Sequence, residues 1–269
     1  MGARSSNTDR NGHRNNSENV RLDGHLSYFY NSSLNSGGVS PNAGGGVPFS
    51  ATGGTKDTSS RSGYTLHKFT DTGNGTFVLD GVPSAPFTTV ECLIVAGGGA
   101  GGCHTGAGGG GGGGVLYWNA LPISNGTIPV SVGAGGEGGS PSTTTQGLQG
   151  GDSVVVANPG ATTYTASGGG GGCGGIQASV PPANAGGSSG GASAPGGPTG
   201  LNPNPAKSAT QSPVGSFTGY GNDGGRGYHT GGAKIDGGGG GGDGGDNWTG
   251  QPGPDGGQGI IIFAYPGTY

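Results

Sequence analysis

The stretch TTVECLIVAGGGAGG, residues 88–102, decides the fold. Its first nine residues are mostly β-branched and aliphatic, the composition of a buried strand. Its last six are glycine except for Ala100, and no turn residue separates the two parts. The same junction recurs along the chain. It is reversed in GGGGGVLYW (110–118) and GIIIFAY (259–265), and it runs forward in IPVSVGAGGEGG (128–139). Glycine runs are thus inserted between strand-like segments.

Working outward, further strand-like segments lie at 64–69, at 76–79 after the turn Gly73-Asn74-Gly75, and at 153–157 and 162–166. With 88–96, 115–118, 127–132 and 259–265 they predict eight short strands. No apolar pattern of helical period occurs. The expected fold is all-β with little or no α-helix: a small antiparallel β-sandwich with an inserted bundle of polyglycine II-type extended helices.

Glycine supplies 73 of the 269 residues, against a usual share of about 7%. Each glycine in regular structure costs about 0.5–1 kcal/mol relative to alanine. So large a surplus must be offset by something only glycine permits, and close backbone packing is the candidate. Charged residues make up 9% of the chain, too few to hold it extended in solution. Glycine-rich runs lie at 97–102, 106–114, 133–139, 168–175, 186–191 and 237–245. Collagen requires glycine at every third position. Gly250, Gly253, Gly256 and Gly259 hold that register, but Asn247 and Ile262 break it. Flexible linkers are a second reading. The third is a bundle of threefold extended rods, with about 3.1 Å rise per residue and amides bonded to neighbouring rods.

Taken in order, LIVAGGGAGG (93–102), GGGGGVLYW, IPVSVGAGGEGG, the closing GIIIFAY and the lead-in HKFTDTGNGTFVL (67–79) resemble the glycine-rich domain of phage tail fibres and other virion surface proteins. They are similar to fibre-tip adhesins of T-even-like phages, and to the glycine-rich region of some receptor kinase ectodomains. The resemblance covers residues 62–269. It implies a virion structural protein, a tail fibre or receptor-binding subunit. Its partners would be other virion structural proteins and a host surface glycan or outer-membrane protein, and its assembly a homotrimer. Alternatives are an architectural capsid decoration and a cellular glycine-rich wall or matrix protein. Residues 1–61 are polar and match no part of the resemblance; they read as a docking arm. The N-terminal MGARSSNTDRNGHRNN lacks an apolar leader, so the expected location is a virion assembled in a host cytoplasm.

Recognition would fall to the loops between rods, since a rigid scaffold leaves binding to its loops. These are 103–105, 140–148, 176–184, 201–220, 228–235 and 247–251. The receptor-contact candidates are Tyr220, Tyr228, His229 and Trp248, because aromatic rings bind sugar faces and protein anchors at low entropic cost. The same rings would equally serve to cover bundle edges. No paired acids or base–nucleophile set suggests an enzyme, and no cofactor is expected. One copy of a calcium nonapeptide pattern at 241–249 lacks the tandem array that binds metal, so no metal is expected. A single Gly-Gly-Arg-Gly-Tyr (224–228) in a chain of net charge −4 does not make a nucleic-acid surface. Three cysteines, an odd and low count, argue against a disulfide framework.

Overall fold

A computed structural model describes residues 50–82, 88–104, 106–141, 146–175, 183–193, 207–226, 228–230, 234–236 and 252–267. Among these the chain is all-β, with no helix. The strands are β1 (Ser50–Thr52), β2 (Thr55–Asp57), β3 (Tyr64–Phe69), β4 (Gly73–Asp80), β5 (Thr89–Val95), β6 (Val115–Pro122) and β7 (Gly126–Val132). They continue with β8 (Ser153–Ala157), β9 (Thr162–Ala166), β10 (Thr218–Tyr220), β11 (Tyr228–Thr230), β12 (Lys234–Asp236) and β13 (Ile260–Pro266). One sheet has the order β1-β4-β7-β8-β9 and a second the order β10-β6-β5-β13-β3-β2, while β11 and β12 form a separate ribbon. All pairing is antiparallel.

Alternation builds the core between the two sheets. In β3, Thr65, His67 and Phe69 turn inward; in β5, Val90, Cys92 and Ile94 do so. Phe77 of the first sheet stacks on Phe263 of the second, with centroids 4.4 Å apart and planes 5° apart. Phe69 meets both rings edge-on. A second aromatic group joins Trp118, Tyr164 and Phe217.

The sequence reading does not anticipate β1, β2, β10, β11 or β12. Residues 50–57 lie within the segment read as a polar arm, yet they supply an edge strand to each sheet. The crossover between sheets is Gly53-Gly54. Gly53 has φ +104°, and a Cβ there would lie 2.0 Å from the Thr76 carbonyl oxygen, so the crossover requires glycine.

Beyond the strands the glycine segments keep the sheet registers. The β5–β6 ladder ends at Val95 opposite Val115. It resumes as Ala96 N–H to Gly114 O, Gly99 to Gly111, and Gly102 to Gly108, at 2.8–3.0 Å. Bonds now recur at every third residue. The intervening amides turn elsewhere: Gly97 and Ala100 donate to Gly151 and Leu148, and Gly98 and Gly101 donate to Gly257 and Pro254. Segment 96–102 thus donates to three neighbours in rotation. Three segments bonded to it, 133–139, 147–151 and 167–173, extend strands of the opposite sheet. Sandwiched sheets normally stand about 10 Å apart across their side chains. Here they meet as direct N–H···O contacts. A Cβ added at Gly97, Gly135 or Gly138 would fall 1.9, 1.8 or 1.7 Å from a carbonyl oxygen of the adjoining segment.

Candidate functional site

Segments 133–139 and 167–173 both run parallel to 96–102. Their registers show it: Gly136 and Gly139 donate to Gly98 and Gly101, and Gly169 and Gly172 donate to Gly97 and Ala100. Each of the three leaves a strand, so all three end on the side of the array away from the sandwich. The bonds at that end are Gly102 to Gly108, Gly139 to Gly101, Gly147 to Gly172, Gly253 to Gly139 and Gly175 to Cys103. The connections that follow residues 102, 139 and 173 therefore spring from one distal rim, and the chain returns to the same rim at Gly253.

The described rim residues are mostly small or polar. Gln146 donates its side-chain amide to Asn184 Oδ1 at 3.2 Å. Asp255 accepts from the Gly138 amide at 2.7 Å. His104 holds φ 76°, and its Nε2 is buried without a hydrogen-bond partner. Among the described residues, no group of three or more His, Cys, Asp or Glu side chains is arranged to hold a metal.

Of the four aromatic candidates, Tyr220 stands away from this rim. Tyr220 closes β10, opposite Val115, and is 55% exposed. It stands at the level where β6 begins, not at the distal end. Tyr228 and His229 lie on β11, opposite Asp236 and Ile235 of β12. Trp248 lies outside the described residues, as do the loop parts 176–182, 201–206 and 247–251. The described part of 201–220 is built into the fold: Phe217 is 1% exposed against Trp118 and Tyr164.

The structure adds a second surface, on the outer face of the six-stranded sheet. Leu66, Leu93 and Ile262 form a half-buried apolar centre there. Tyr117, 37% exposed, stands beside Leu93 and donates its hydroxyl to Glu91 Oε2 at 2.9 Å. Arg61 bonds Glu91 at 2.9 Å and lies over the Tyr64 ring at 3.5 Å. The guanidinium beside Glu91 holds its carboxyl below the usual range, with the Tyr117 bond adding to this. Opposite, Lys68 bonds Asp57. Sequence reasoning misses Tyr117 because VLYW reads as an unbroken apolar run. Glu91 is detectable, as the one charge in TVECLIV.

Against known proteins, the family model described as a glycine-rich domain matches residues 70–266. No curated protein matches the chain.

Proposed function

We propose that this chain, which belongs to the glycine-rich domain family, is a structural subunit of a virion surface. In this reading it is a phage-type tail fibre or receptor-binding protein. The array of glycine segments is a polyglycine II-type bundle, serving as a stiff mount with no side-chain core of its own. The distal connections are the recognition elements. One observation carries the reading: three consecutive connections spring from a single rim, at the far end of a scaffold bonded through its backbone. Loops on such a mount vary in sequence without disturbing what holds them. The receptor would be a host surface glycan or outer-membrane protein, and the partners at the other end would be virion proteins.

The test exchanges the connections 103–107, 140–146 and 174–183 for those of another glycine-rich domain. Particles carrying the chimera are expected to change the cells to which they adsorb, with the melting temperature of the subunit unchanged. Unchanged adsorption would sink the adhesin role. Hundreds of copies per particle, measured by quantitative mass spectrometry, would instead favour a capsid decoration.

A further inference from the structure

The outer face of the six-stranded sheet carries a diagonal track. Tyr220 of β10 lies opposite Val115, and Tyr117, two residues along β6, lies opposite Leu93 of β5. Glu91 stands two residues before Leu93 and opposite Ala264. Each step crosses one strand and two residues, so Tyr220, Tyr117 and Glu91 follow one another at about 7–8 Å, the diagonal spacing of an antiparallel pair. Of the four large apolar side chains exposed among the described residues, only Tyr117 and Tyr220 are aromatic, and they are neighbours on this track. The other two, Val78 and Leu148, lie on β4 and in the glycine array.

The track is braced at one end. The Tyr117 hydroxyl donates to Glu91 Oε2 at 2.9 Å, and Arg61 bonds Glu91 Oε1 at 2.9 Å while lying over the Tyr64 ring. The Tyr117 ring is therefore held before anything binds, which spares the entropic cost of ordering it. The strand also bulges here. Val90 lies opposite Leu121 and Cys92 opposite Trp118, so two residues of β6, Asn119 and Ala120, oppose the single Glu91. A bulge bends its strand and re-aims side chains. This one brings Asn119, which is exposed, level with Glu91. The charges of the face cancel, since Arg61 pairs with Glu91 and Lys68 with Asp57.

We infer that this track is a binding site for a neutral oligosaccharide, set on the flank of the molecule and separate from the distal rim. A sugar ring offers a flat face of C–H groups edged by hydroxyls. The C–H face packs on an aromatic ring, and the hydroxyls need donors and acceptors close by. The track supplies both in order: two exposed rings, then a carboxylate that accepts and a guanidinium that donates. The charge balance selects the uncharged class. An anionic glycan would have to displace Glu91 from Arg61, and a cationic one would have to displace Arg61 from Glu91. Neutral hydroxyls bond to the pair as it stands. The site goes beyond the reading of the rim, and neither depends on the other.

Calorimetric titration of the full chain with cellohexaose, maltohexaose and chitohexaose tests it. Saturable binding of at least one is expected. Tyr220→Ala and Tyr117→Ala should each weaken it about tenfold or more. Tyr117→Phe, which keeps the ring and loses only the bond to Glu91, should weaken it less than Tyr117→Ala. Both rings are exposed, so Tm is expected to hold within about 2 °C. A chain with its rim connections exchanged should bind the sugar as before, which separates failure of this site from failure of the rim. Three results would overturn the inference. They are no saturable binding of any of the three sugars, equal affinity in Tyr220→Ala and the unsubstituted chain, and a dimer in sedimentation that Tyr117→Ala abolishes. The last would mark the face as the seat of a second copy.

Discussion

Ser153 donates its hydroxyl to the carbonyl of Val95 at 2.8 Å, which ties β8 of one sheet to β5 of the other at the level where the side-chain core ends. The same oxygen accepts the Gly133 amide at 2.9 Å, and the residue is fully buried. One hydroxyl thus closes the seam between a sandwich held by side chains and an array held by backbone.

Ser153→Ala leaves a buried amide and a buried carbonyl without this partner. Each such loss costs about 1–3 kcal/mol. The variant is expected to lose about 2–4 kcal/mol in denaturant unfolding, with an unchanged m-value.

Phe263→Ala removes a ring stacked on Phe77 and edged by Phe69. The ring is fully buried, so the loss is expected to be about 3–5 kcal/mol. Phe263→Leu, which keeps most of the volume, should recover more than half of it in the same measurement.

Gly135→Ala places a methyl 1.8 Å from the Gly256 carbonyl oxygen, backbone against backbone with no side chain to swing aside. Overpacking of this kind costs about 1–3 kcal/mol where side chains can yield. The upper end or more is expected here, read as a drop in Tm. Gly73→Ala is the contrasting control, with open space around the added carbon but φ +98°, so its smaller loss reports backbone strain alone.

His67 sets an acid limb on stability. Its Nδ1–H donates to the Gly53 carbonyl at 2.7 Å, and its Nε2 accepts from the Tyr265 hydroxyl at 3.1 Å. The ring is 1% exposed, and burial is the main cause that lowers its pKa from 6.5. The unfolded chain therefore takes up a proton first as pH falls. Stability is full above about pH 6.5, declines below it, and levels off once the folded ring titrates. Chemical unfolding at stepped pH should show this limb, and His67→Gln should flatten it.

All eight strands read from apolar clustering are present, because alternation and β-branched composition report burial directly. The missed strands are those whose pairing, not composition, makes them: SAT, TKD, TGY, YHT and KID carry no apolar run. Phe217 is a lone aromatic in a loop-like stretch, and only the tertiary structure shows that it completes the Trp118–Tyr164 group. The glycine spacing at 253, 256 and 259 is legible but easily misassigned. It fails as collagen, and its meaning is the phase in which those amides donate to Gly139, Gly136 and Gly133. Pro254, Asp255 and Gln258 occupy the phases between, where a side chain or a missing amide costs nothing. At the candidate site, aromatic chemistry alone marked Tyr220, and what it could not supply was position: whether a ring stands at the rim or beside a strand depends on register.

The three-residue recurrence along 96–102 gives the segment a reading frame. Deleting one residue turns every downstream amide by a third of a revolution, toward a different neighbour, while leaving composition almost untouched. Removing or inserting three restores every direction and changes only length. Viable length variants of this molecule should therefore come in triplets within the glycine segments, and in any number beyond the rim.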